Sequence, residues 1–118
     1  MTCQRVFDLA LRLLAESQVS GEVEDYADRA PALILLCVTD LAPIDGGERE
    51  EKAELPDCAL SAPFPLAERF LPCVAYYLAA MLVLEERPEL SKSLYAMYES
   101  HLPLAVNQPI RDRYGFGR

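Results

Sequence analysis

Between Cys3 and Glu16 the polar residues Arg5, Asp8, Arg12 and Glu16 recur at spacings of three and four. That period predicts a helix with one narrow wet stripe, along which Asp8 and Arg12 stand in favourable i,i+4 order. Val6, Phe7, Leu9, Ala10, Leu11, Leu13 and Leu14 fill the remaining arc. It is wider than one contact requires, so this helix is expected to touch two neighbours. A second helix is predicted from about Glu24 to Leu41, with Tyr26, Ala30, Leu33, Ile34, Cys37 and Leu41 along one side. Pro31 is expected to bend it or delay its start, and Pro43 with Gly46-Gly47 to end it.

The segment "FLPCVAYYLAAMLVL", residues 70 to 84, contains no charge in fifteen residues. A membrane, a buried core or a partner subunit could each demand such a segment. Crossing about 30 Å of hydrocarbon takes about 20 apolar residues, and fifteen at ~1.5 Å each reach only ~22 Å. Arg69 closes one end and Glu85-Glu86-Arg87 the other, so a span is not expected. A helix apolar all round is surrounded by protein. The central helix is therefore predicted over 66–86, started by Pro65, with a kink or first-turn break at Pro72. A fourth helix is predicted over 88–101, begun by Pro88 and stopped by Pro103, with Leu90, Leu94, Met97, Tyr98 and His101 sharing a face.

Residues 43–65, "PIDGGEREEKAELPDCALSAPFP", carry six acids, two bases and four prolines, which exclude a regular element. Connections this long are uncommon in compact domains and tend to be functional or disordered. The segment reads as a solvated acidic loop or as an arm that orders on a partner, with a short edge strand at Asp57–Ala62 as its one candidate element. The tail "NQPIRDRYGFGR" differs in kind. Residues 107–118 have net charge +2 from three arginines and one aspartate, against −4 for residues 45–57. Ile110, Arg111, Arg113, Tyr114 and Phe116 mix apolar anchors with arginine. They are the candidate partner-binding residues of a docking peptide, for which the acidic loop of a neighbouring copy is one target. The expected architecture is all-α. It is a compact bundle of about four helices in residues 1–106, with a long acidic loop between helices two and three and an extended C-terminal docking tail over 107–118.

Composition narrows the function classes. At 118 residues the chain makes one domain that buries roughly two-thirds of its unfolded surface. Nineteen acidic against eleven basic residues give a net charge of −8, which repels nucleic acid and anionic lipid. Asp8 and Arg12 interrupt any apolar signal core near Met1. Cys3, Cys37, Cys58 and Cys73 form no C-x-x-C pair and are expected as free thiols in a reducing compartment. Zinc would require His101 and these distant cysteines to converge, so no metal or other cofactor is expected. His101, the one histidine, is expected to cap carbonyls or to pack. Nucleophilic catalysis lacks a placed base, and Gly46-Gly47 precedes Glu48 and not the Lys of a phosphate loop. No enzyme activity is expected.

The stretches "VFDLALRLLAES", "DYADRAPALILLCVTDLAP", "LAERFLPCVAYYLAAMLVLEERPELSKSLYAMYE" and "IRDRYGFG" follow one another in an order of parts. In that order the chain resembles the small helical head–tail connector (adaptor) proteins of tailed bacteriophages and prophages. Pro31 and Pro72 are departures that the resemblance does not account for. The resemblance implies a structural ring subunit beneath the portal. Its partners would be copies of itself, the portal protein and tail proteins, with DNA passing through without sequence-specific binding and no membrane involved. It places the protein in the bacterial host cytoplasm during assembly, and at the virion neck of an intact phage. Two rivals are a helical interaction or regulatory module, acting as monomer or dimer, and a small-ligand or metal-binding helical protein.

Overall fold

A computed structural model of the chain describes residues 2–16, 23–45 and 58–113, with backbone alone for residue 45 and residues 107–113. The fold is all-α. Helices α1 (Cys3–Glu16), α2 (Val23–Asp45), α3 (Leu71–Leu82) and α4 (Pro88–Arg113) form a bundle around α3. The other three all pack against α3, and α1 also touches α2, the second neighbour its wide apolar arc required. The stripe of Arg5, Asp8, Arg12 and Glu16 is exposed, while Val6, Phe7, Ala10 and Leu14 are buried beneath it. In α2 the buried face is Tyr26, Ala30, Ile34, Cys37, Val38 and Leu41, with Leu33 half-buried at its edge.

The N-terminus of α1 is held by the segment after the acidic stretch. The Cys3 and Gln4 amides donate to the Ala62 and Leu60 carbonyls at 2.9 and 2.8 Å, and the Arg5 amide donates to the Thr2 carbonyl at 3.0 Å. These are donors that no helix can satisfy internally. The edge strand expected at Asp57–Ala62 is instead a turn, closed by the Ala62 amide on the Ala59 carbonyl, with one isolated antiparallel bridge between Thr2 and Pro63. Asp57 and the rest of the expected acidic arm, residues 46–57, lie outside the described residues.

Prolines account for most differences in helix boundaries. The third helix begins at Leu71, not Leu66, after a 3-10 turn at Glu68–Phe70. Pro72 sits in its first turn, where a missing N–H costs nothing, so the first-turn break is where the sequence placed it. Pro43 and Pro103 were expected to stop α2 and α4, yet both helices pass them. A proline deprives the carbonyl four residues earlier, here Thr39 and Glu99, of its donor. Thr39, Glu99 and both prolines are exposed, so water can take those carbonyls. Pro109, farther along α4, deprives the carbonyl of Ala105, which is buried. There Arg69 supplies the donor, its Nε 3.0 Å from the Ala105 oxygen. Solvent relieves the exposed proline sites and an arginine relieves the buried one.

The end of α3 is satisfied by its neighbours. The helix stops at Leu82, four residues before the expected limit, in a turn closed by the Arg87 amide on the Val83 carbonyl at 2.8 Å. Arg29 of α2 donates through Nη2 to the Leu82 carbonyl at 3.0 Å, and Tyr26 donates its hydroxyl to Glu86 Oε1 at 3.1 Å. Ser91 of α4 donates its hydroxyl to the Ala80 carbonyl at 2.8 Å. This explains why a serine, 3% exposed, occupies the buried face of α4 while Met97, expected there, is 40% exposed. Ser91→Ala leaves a buried acceptor unpaired and is expected to cost about 1–3 kcal/mol, whereas exposed Ser93→Ala should stay within about 0.5 kcal/mol. Urea titration of both variants measures the difference. Equal midpoints would show that Ala80 finds another donor.

Candidate interaction surfaces

Among the described residues, helix α3 is not covered on all sides. Leu71, Cys73, Val74, Ala75, Leu78, Ala79, Ala80 and Leu82 are buried, as expected of an uncharged helix at the centre. Pro72 is exposed, however, and Tyr76, Tyr77 and Met81 are only half-buried. Three neighbours cannot close a cylinder that is apolar all round, so at least two seams stay open among the described residues. One lies against α1, a groove of about 230 Å³ lined by Leu9, Arg12, Leu13, Pro72 and Tyr76 among others. The other lies against the start of α4, a groove of about 590 Å³ lined by Tyr77, Met81, Leu84, Pro88, Lys92 and Tyr95, with Ser91 at its floor.

Aromatic rings form much of these walls. Tyr76 and Tyr77 are adjacent and so point about 100° apart on the helix. Tyr76 meets the His101 ring at 4.9 Å between centroids. Tyr77 packs on Tyr95 at 6.4 Å and edge-on against Tyr98 at 5.5 Å. His101 Nδ1 lies 3.0 Å from the Met97 carbonyl, one turn back. The histidine therefore packs, but within α4 and not at its C-terminus, because the helix continues past Pro103.

Beneath the larger groove is a layer of buried thiols and hydroxyls. The Tyr98 hydroxyl donates to the Cys37 sulfur, which burial pushes up to about 12 despite that bond. Burial likewise raises Cys73 to about 11, and it raises Tyr77 and Tyr98, with Cys37 adding to both. Burial also raises Cys3, and its hydrogen bond with Cys58 opposes that rise only in part. Cys3, Cys37, Cys58 and Cys73 are buried and none is joined in a disulfide. A thiol without its thiolate is a poor nucleophile and a poor metal ligand, so Cys3, Cys37 and Cys73 behave as small apolar residues at neutral pH. Among the described residues no group of three or more His, Cys, Asp or Glu could hold a metal ion. Nor does any buried side-chain nitrogen or oxygen there lack a hydrogen-bond partner.

This layer sets an alkaline limit on stability. Above pH 9.0 the unfolded thiols ionise, while the folded core keeps Cys73 protonated to about 11 and Cys37 to about 12. The folded state then holds more protons than the unfolded one, so stability falls as pH rises. Urea midpoints are expected to agree at pH 7 and 8 and to drop between pH 9 and 12, with a shallower drop in Cys37→Ala. A midpoint that stays level to pH 11 would place these thiols in contact with water.

The residues singled out in the tail are not brought to either groove by the described structure. Ile110, Arg111 and Arg113 belong to the last turns of α4, described in backbone only, and Tyr114 and Phe116 lie outside the described residues. The α3/α4 groove had a weak sequence signal. Tyr77, Met81 and Leu84 are spaced by four and three, as are Pro88, Lys92 and Tyr95, and both stripes converge on the turn at 83–87. No helix among the described residues is long and apolar enough to cross a membrane. No protein-family model, curated protein or solved structure matches the chain.

Proposed function

We propose that the chain is a non-enzymatic ring subunit of a phage or prophage head–tail connector, bound to the portal, through which DNA passes toward the tail. The observation that supports this most is the pair of dissimilar open seams beside α3, one against α1 and one against α4. A ring closes through heterologous contacts, which take two different surfaces on each copy. Apolar seams rimmed by charge suit that purpose better than they suit catalysis. The net charge of −8 fits a conduit, because cationic contacts to phosphates would hold the genome in place. On this reading the tail proteins bind the opposite face of the ring. The subunit assembles in the host cytoplasm and ends at the virion neck. The rival reading, a helical regulatory module acting as monomer or dimer, uses one seam for one partner.

The test is co-sedimentation of the purified full chain with the portal ring encoded in the same genome. The expected result is stoichiometric retention on the portal, unaffected by free DNA. A chain that leaves the portal unbound, and whose gene has no portal or capsid gene nearby, would sink the connector reading and favour the module.

A further inference from the structure

Resting on the ring reading, we infer that the α3/α4 groove takes the segment around Tyr114 and Phe116 of a second copy of this chain. The groove is lined mainly by apolar and aromatic surface, and its floor serine is already engaged with the Ala80 carbonyl. Its walls include Leu84, 51% exposed, and the Tyr77 and Tyr95 rings, which offer face and edge to an inserted aromatic. Aromatic anchors in apolar pockets carry much of the energy of protein contacts, and Tyr114 and Phe116 are the aromatics nearest the described end of α4.

Charge agrees with this occupant. Exposed Glu85, Glu86 and Glu89 adjoin the groove residues Leu84 and Pro88 in sequence, against Arg87 and the lining Lys92, and Asp40 of α2 acts on Tyr77. The segment 107–118 brings Arg111, Arg113 and Arg118 against Asp112 alone.

Geometry excludes the chain's own segment. Along α4, Arg113 lies eighteen residues beyond Tyr95, the nearest groove residue, which is about 27 Å of helix. Phe116 is three residues past Arg113, a reach of about 10 Å even when fully extended. It cannot return to its own groove, but it can enter a neighbour's. Each copy then offers a groove near the start of α4 and an anchor past its end. That contact is head-to-tail, as a ring demands.

The test uses the full chain, a version lacking residues 114–118, and a labelled peptide of residues 107–118. Circular dichroism first confirms that the shortened chain and Leu84→Glu keep native helix content. The peptide should bind the shortened chain saturably. Leu84→Glu, or serine at both peptide aromatics, should weaken binding about tenfold or more, and high salt should weaken it further. Sedimentation of the full chain should show assembly, lost both on deletion and in Leu84→Glu. A shortened chain that assembles like the intact one overturns the inference and leaves the ring reading standing. A monomeric full chain that refuses the peptide its shortened form accepts would assign the groove to its own segment, overturning the second-copy contact. If deletion and Leu84→Glu both dissolve the assembly, but that assembly ignores the portal, the groove contact holds and the connector reading fails.

Discussion

Leu78→Ala should lower the unfolding free energy by about 2–5 kcal/mol, one of the largest single losses available to this chain. Leu78 is 0% exposed at the middle of α3, the helix against which α1, α2 and α4 all pack. Removing its branched end opens a void that three helices would have to move together to fill. A domain of this size has on the order of 5–15 kcal/mol in total, so the variant should melt on the order of 10 °C or more below wild type. Differential scanning calorimetry of Leu78→Ala decides it. A melting temperature within a degree or two of wild type would mean that α3 is not the centre of the core.

Phe70→Ala should cost about 3–5 kcal/mol, for a reason that combines packing with a helix junction. Phe70 is fully buried at the end of the 3-10 turn, immediately before α3. Its ring also carries the Arg69 guanidinium 5.1 Å from the centroid, while Arg69 Nε reaches the Ala105 carbonyl left over by Pro109. Loss of the ring therefore empties the junction and frees the arginine that completes α4. Phe70→Leu keeps an apolar side chain under Arg69 and should lose clearly less in the same urea titration. Alanine and leucine variants of equal stability would show that the ring adds nothing there.

The bundle was legible wherever a single helix carried its own answer. Arg5, Asp8, Arg12 and Glu16 mark the wet side of α1 by spacing alone, and Tyr26, Ala30, Ile34, Cys37 and Leu41 mark the dry side of α2 in the same way. The uncharged run from Phe70 to Leu84 announced a central helix, because no other arrangement hides that much apolar surface in a chain of this length. Boundaries were less legible, since the effect of a proline depends on where its orphaned carbonyl points. Pro43 and Pro103 read as stops, but their carbonyls belong to exposed residues and the helices continue. Pro109 is tolerated through Arg69, forty residues earlier, which no local rule reveals.

Of the candidate surfaces, the sequence showed anchors without a receptor. Ile110, Tyr114 and Phe116 stand out as apolar residues among arginines, whereas the groove at Tyr77, Met81, Leu84 and Tyr95 is assembled from α3 and α4 together, on either side of the turn at 83–87. Ser91 is the clearest case of a residue whose role needs the fold. By pattern it belongs to the solvent, and by its bond to Ala80 it belongs to the core.

The central claim, a ring subunit with two dissimilar lateral seams, is tested most directly by the mass of the full chain in solution. Mass photometry across concentration and salt should find one closed species, a multiple greater than two of the 13.2 kDa chain, that dissociates as salt rises. A monomer or a two-fold dimer at every concentration would contradict it.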